Sequence, residues 1–279
     1  MEKAKRVVWR LLAASVCVMA VSQAVHADSL DEQRSRYAQI KQAWDNKQMD
    51  TVQALMPTLK DYPLYPYLEY RQITDDLMNQ PTVTVNNFIQ ANPTLPPARA
   101  LKSRFVNELA RREDWRGLLA FSPDKPGATE AQCNYYYAKW ATGQQEEAWA
   151  GAKELWLTGK SQPNACDPLF SAWRASGKQD PLSYLERIRL AMKAGNTRLV
   201  TVLAGQMPAD YQTIASAVIS LANDPNTVLT FARTTGATDF TRQMAAVAFT
   251  SVARDDVENA RLMIPQLVQA QKLNDDQTQ

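Results

Sequence analysis

Only one histidine occurs in the 279-residue sequence, and it stands at position 26. That position lies inside an N-terminal stretch that reads as an export leader. MEKAKRVVWR carries four cations and one acid, the apolar run LLAASVCVMAV follows, and Val25-His26-Ala27 supplies small residues ahead of Asp28. A basic head, an apolar run too short to span a bilayer and small residues at the −3 and −1 positions describe a secretory signal peptide, the alternative being a membrane anchor. The expected domains are residues 1–27 as signal peptide, cut between Ala27 and Asp28, and residues 28–279 as the mature chain. With His26 gone, every mechanism built on a histidine base or histidine metal ligand is excluded.

Net charge is also scarce. The full sequence has 31 cations and 29 acids; removing the leader's four and one leaves 27 and 28, a net charge of −1. Nothing in that balance argues for a nucleic-acid partner. No later run is long and apolar enough to suggest a stable membrane anchor. Cysteine is rare, with three in all, and Cys133 and Cys166 remain after export. An oxidising compartment favours a disulfide between them, which closes a loop worth roughly 3–4 kcal/mol. The other reading is two buried, inert thiols.

Strand signals are nearly absent. TVTV at 82–85 is the one candidate, and the NNFIQAN after it reads as a short helix. Helical periodicity fills the rest. Ser29-Leu30-Asp31-Glu32 is a capping box opening a helix with Tyr37, Ile40 and Trp44 on one stripe. A second helix opens at Asp50 with Val52, Leu55, Met56 and Leu59. A third begins near Pro66, and a long one starts at Pro96-Pro97, where proline lacks only an N–H that had no partner. From residue 129 the pattern becomes repetitive. Helices are expected at about 129–142, 145–158, 167–176, 182–194, 197–206, 211–222, 226–234, 239–253 and 256–270. Ala-Thr-Gly at 141–143 and Ala-Ser-Gly at 175–177 recur 34 residues apart, the period of stacked helical hairpins of the tetratricopeptide kind. The fold class is therefore all-α: a superhelical array of helical hairpins, an α-solenoid. LNDDQTQ at the end offers Asn274 or Asp275 as a cap with no helix behind it, so the array reads as truncated.

Four of the seven tryptophans lie between 140 and 177. They are either a platform for sugar rings or the core of packed helices. Ala148, Trp149, Ala152 and Trp156 share a helical stripe, as do Cys133, Tyr137, Trp140 and Ala141, and then Leu169, Phe170 and Trp173. Alanine facing large aromatics at this spacing is the pattern of interdigitating cores. Tyr135 and Tyr136, off the stripe, are the residues left for surface contacts.

Sites for chemistry are harder to find. The acidic pairs Asp75-Asp76, Glu146-Glu147, Asp255-Asp256 and Asp275-Asp276 point about 100° apart on a helix and do not converge on one bond. Ser122-Pro-Asp-Lys125 fits a serine–lysine motif, but Pro123, Pro126 and Gly127 oppose the helical turn it needs. Gly159-Lys160-Ser161 resembles the end of a phosphate loop, yet Glu154 holds the required earlier glycine position. No cysteine or histidine set has zinc spacing, and no haem or dinucleotide motif occurs. No catalytic, metal or cofactor-binding residue is assigned, and no cofactor is expected.

At DYPLYPYLEYRQI (61–73), and through the aromatic helices at 133–173, the chain resembles the soluble lytic murein transglycosylases of Gram-negative bacteria, along its whole length with the leader included. That resemblance implies a periplasmic protein with a long N-terminal α-superhelix curling into a ring that carries a smaller lysozyme-like domain. The family cleaves the MurNAc–GlcNAc bond of peptidoglycan without water, releasing 1,6-anhydromuropeptides, through a single glutamate and no metal. Its glutamate lies in a Glu-Ser segment followed by Gly-Leu-Met-Gln, and neither occurs here; Glu147-Ala148-Trp149 lacks the serine. The expectation is the non-catalytic superhelical part of such an enzyme, ending before the ring closes and inactive alone. Its partners would be peptidoglycan glycan strands and the absent C-terminal catalytic domain. The competing reading is an exported helical scaffold that binds protein partners or glycan.

Overall fold

The computed structural model describes residues 29–274 and 276, and the leader with its Ala27–Asp28 cut lies outside them, as does Asp275. Among the described residues there are fifteen α-helices and no strand. They are α1 (Leu30–Asp45), α2 (Met49–Leu55), α3 (Tyr65–Asp75), α4 (Thr82–Ala91), α5 (Pro96–Arg111), α6 (Trp115–Phe121), α7 (Thr129–Ala141) and α8 (Gln145–Trp156). Then come α9 (Asp167–Ala175), α10 (Pro181–Lys193), α11 (Thr197–Gly205), α12 (Gln212–Asn223), α13 (Val228–Thr234), α14 (Asp239–Asp255) and α15 (Val257–Gln271). The chain divides into two units, up to Leu68 and from Glu69 onward.

The first unit is built by α1, α2 and the start of α3. The expected capping box is present: Glu32 N–H donates to Ser29 Oγ at 3.2 Å, and Ser29 N–H donates to Glu32 Oε2 at 2.9 Å. Two orphan donors of the first turn are thereby satisfied. Ile40, Trp44, Val52, Leu59 and Leu68 form its core.

In the second unit each helix packs on the next one or two along the chain, from α4 through α9 and from α10 through α15. A further contact joins α10 to α14. This is the expected array of helical hairpins, in which a short amphipathic helix buries its stripe only against neighbours. Tight connectors set the hairpins. At the end of α7 the Gly143 N–H donates to Trp140 O and the Gln144 N–H to Lys139 O, with Gly143 at φ +90°. This is the left-handed C-terminal motif that satisfies the last carbonyls of a helix. Glu113 occupies the same conformation after α5, at φ +57°, and Asp114 N–H reaches Leu109 O. Asp114 is also the N-cap of α6, accepting from Gly117 N–H at 2.9 Å.

Two expectations need correcting. TVTV at 82–85 is no strand; it is the first turn of α4, entered through Pro81. Val85 and Phe88 are buried three apart, so the helical period prevails over the alternation. A helix that the sequence pattern did not suggest, α6, fills the gap between α5 and α7.

Two core clusters occupy this unit. One gathers Leu101, Phe105, Leu109, Leu118 and Phe121 with Ala131, Tyr135 and Ala138; the other runs from Cys133 and Trp156 through Ile188 and Leu221 to Leu267. Helix α7 supplies residues to both.

Candidate functional site

Between residues 133 and 184 the aromatic side chains sort into two populations. Trp156 and Trp173 are core, 2% and 3% exposed. Trp156 is the hub: its ring meets Phe170 and Tyr184 edge-on at 5.0 Å and Trp173 at 6.3 Å, and its indole N–H donates to Ser183 O at 3.0 Å. A buried indole with its one donor satisfied fits the core reading of the stripe. Ala148, Ala152, Leu169 and Phe170 are buried with it, whereas Ala141 is exposed.

The second population is a row of half-buried rings across three successive helices. Trp115 of α6 meets Tyr137 of α7 at 5.0 Å, Tyr137 meets Trp140 at 5.0 Å, and Trp140 meets Trp149 of α8 at 6.5 Å. Packing holds one flank of each ring and solvent reaches the rest. Nothing in the sequence pattern around Trp115 marks it, because the short helix α6 that carries it has no glycine or proline break ahead of it.

Of the two tyrosines left for surface contacts, Tyr135 is buried and Tyr136 half-buried. Tyr135 is 6% exposed and its hydroxyl donates to Pro123 O at 3.2 Å. The Tyr136 ring lies against Gly151 of α8, where a Cβ would meet the ring at 2.3 Å. Tyr135 is enclosed because α7 is packed by α5 and α6 as well as by α8 and α9.

Cys133 of α7 and Cys166, immediately before α9, are joined by a disulfide with Cα atoms 4.8 Å apart. Both are fully buried. The bond ties the aromatic hub's two flanking helices together.

The remaining motifs take structural roles. Ser122 is buried and its hydroxyl donates to Asp124 O at 2.8 Å, while Lys125 pairs with Glu154 at 2.8 Å; residues 122–128 are not helical. Gly159 presses on the end of α10, where a Cβ would lie 2.3 Å from Leu190 O, and Asn196 Nδ2 donates to its carbonyl at 3.3 Å. That glycine serves a close backbone approach, and the loop's next residues lie in contact with α11's cap rather than a phosphate cradle. Asp76 accepts from Asn79 at 2.7 Å, Glu147 pairs with Lys139 at 2.9 Å, and Asp256 caps α15 through Asn259 N–H at 3.0 Å. Among the described residues no group of three or more histidine, cysteine or carboxylate side chains is placed to hold a metal ion, and no helix is long and apolar enough to cross a membrane.

No family model matches the chain. Individual relatives do, along its entire length. It is 85% identical over 279 residues to the soluble lytic murein transglycosylase of Escherichia coli strain K12, and 80% identical to that of Salmonella typhimurium strain LT2. It spans 43% of the length of these curated relatives. Among solved structures, the 70-kDa soluble lytic transglycosylase of Escherichia coli matches 90% of the chain at TM-score 0.87 and 88% identity, over 41% of that molecule. The lytic transglycosylase Slt of Pseudomonas aeruginosa matches 87% of the chain at TM-score 0.76 and 30% identity, over 39% of that molecule. From residue 1 to residue 279, then, the chain is similar to the soluble lytic murein transglycosylases, of whose full length it matches less than half.

Proposed function

We propose that this chain is the non-catalytic helical array of a periplasmic peptidoglycan lytic transglycosylase, exported by a leader cut between Ala27 and Asp28. The observation that carries the reading is the 85% identity maintained over all 279 residues. The array holds and orients glycan strands, and cleavage of the MurNAc–GlcNAc bond belongs to a separate catalytic domain. No acid or base in this chain is assigned to the bond-breaking step. Positioning is itself a large contribution to catalysis, since a correctly held strand needs no further ordering at the reacting bond. The row Trp115, Tyr137, Trp140 and Trp149 supports the reading further, because half-buried rings in successive contact leave apolar surface against which the C–H groups of sugars can pack.

Purified sacculi test this directly. The chain alone sediments with sacculi and releases no anhydromuropeptides, while Trp140→Ala with Trp149→Ala weakens sedimentation several-fold. Release of anhydro products by the chain alone, or sedimentation unchanged in the double variant, overturns the respective part. A scaffold for protein partners is favoured by one feature, the apolar groove of about 440 Å³ along α14 and α15 that Phe249, Ile264 and Leu267 line. A chain that stays in the supernatant turns the argument to that groove.

A further inference from the structure

Arg187 of α10 is 4% exposed, yet none of the ion pairs among the described residues includes it. Its buried Nε has no hydrogen-bond partner. The guanidinium lies over the Trp156 ring at 4.2 Å and near Phe170 at 5.6 Å. Burial pushes its pKa down to about 10, so it is still a cation at neutral pH. An arginine this deeply enclosed ordinarily has a carboxylate beside it, because removing a guanidinium from water is costly without compensation. Ring faces compensate in part.

The cation faces a cleft of about 370 Å³ that α8, α9, α10 and α11 enclose. Arg174 of α9 and Arg198 of α11 line the same cleft, and Asp167 is its one acid. Arg174 is turned to Gln206 at 3.3 Å, with its guanidinium 6.0 Å from the Tyr184 ring. Arg198 and Asp167 are exposed, and Asp167 acts on Arg187 through its charge, screened by water, without forming an ion pair with it. Three guanidinium groups against one carboxylate leave a surplus of two positive charges, the more buried of them unpaired at the cleft floor. Planar N–H forks match oxyanions in a bidentate way, and an aromatic floor beneath the fork keeps its donors pointing outward.

We propose that this cleft is a binding site for an oxyanion, a carboxylate or a phosphate group, held by Arg187 at the floor with Arg198 and Arg174 at the rim. The site stands on these arginines and does not depend on the glycan reading. Nothing covalent is involved; the anion replaces the missing partner of the buried cation.

Isothermal titration of the full chain at fixed ionic strength tests this, with three probes. Inorganic phosphate represents the phosphate source, N-acetylmuramic acid the carboxylate source, and N-acetylglucosamine is its uncharged twin. One saturable equivalent of phosphate or of N-acetylmuramic acid, with no heat from N-acetylglucosamine, is expected, and which probe binds identifies the source. Arg187→Met keeps the aliphatic stem on Trp156 while removing the charge, and it is expected to weaken binding at least tenfold. Arg198→Gln, at an exposed position that leaves the fold intact, is expected to weaken it about threefold, and serves if Arg187→Met does not fold. Absence of saturable binding by both anions, or equal binding by wild type and Arg198→Gln, overturns the proposal.

Discussion

A Cβ placed on Gly143 would find nothing within 4 Å, so the only obstacle to a side chain there is the backbone itself at φ +90°. Gly143→Ala therefore isolates conformational strain, and it is expected to lower stability by about 1–2 kcal/mol. Gly205 closes α11 in equally open space without a left-handed φ, so Gly205→Ala is expected to raise stability by about 0.5 kcal/mol. Urea unfolding of the two variants should move the midpoint in opposite directions; movement in the same direction refutes the argument. Glu108 supplies a second test at this scale. Arg111 donates to it twice, at 3.0 and 2.6 Å, and Arg112 once at 3.0 Å, while Arg112 also reaches Leu77 O at 2.8 Å. The hydrogen bond from Arg111, first, holds the Glu108 carboxyl below its ordinary 4.5, with Arg112 adding to it against the cost of burial. A depressed carboxylate stabilises the fold fully above its unfolded pKa and loses that contribution as pH falls through the folded one. Glu108→Gln is thus expected to cost about 1.5 kcal/mol at pH 7, and progressively less below 4.5. A deficit equal at pH 7 and pH 3 contradicts the pairing.

Among the elements, punctuation decided what could be read from composition alone. Gly143, Gly177 and Gly195 stand in positive φ at the ends of α7, α9 and α10, and the helices around them begin and end within two residues of the expected bounds. The helix that escaped notice, α6, follows the same kind of turn, but Glu113 holds the left-handed position there in place of glycine. A seven-residue helix with no glycine ahead of it gives no compositional break to see. Tyr135 was misjudged for a different reason. Periodicity on one helix reports a buried stripe, and α7 has neighbours on two sides. Arg187 was equally opaque: between Glu186 and Arg189 it looks like a solvated helix face, and only the approach of α8 and α9 encloses it. The disulfide carries this scale's prediction. It closes a loop across 33 positions between α7 and α9, and cross-linking of that span withdraws roughly 3–4 kcal/mol of freedom from the unfolded chain. Reduction is expected to lower the melting temperature, and thiol titration of the denatured, unreduced chain covering residues 28–279 to find no free cysteine. Two titratable thiols contradict the bond.

At the scale of the whole molecule, the second unit's core runs along the chain through successive helices, and α15 packs on α13 and α14 while its other sides stay uncovered. The consequence is visible on α15. Val257 is 66% exposed and Ile264 42%, seven positions apart on one side of α15, and the groove that Ile264 enters is lined also by Phe249, Leu267 and Val268. Apolar side chains grouped in this way favour association with another apolar surface, since each leucine removed from water is worth about 1.5–3 kcal/mol. A net charge of only +2 offers little repulsion against it. The chain in solution is therefore expected to self-associate as its concentration rises. Ile264→Lys, at an exposed position on the groove, is expected to shift sedimentation velocity toward the monomer and to weaken association about tenfold. Raising the salt concentration separates the causes: apolar association persists or strengthens, whereas a contact made by surface ion pairs loosens. A monomer at every concentration, or an Ile264→Lys variant that sediments as the parent does, removes α15 as the associating face.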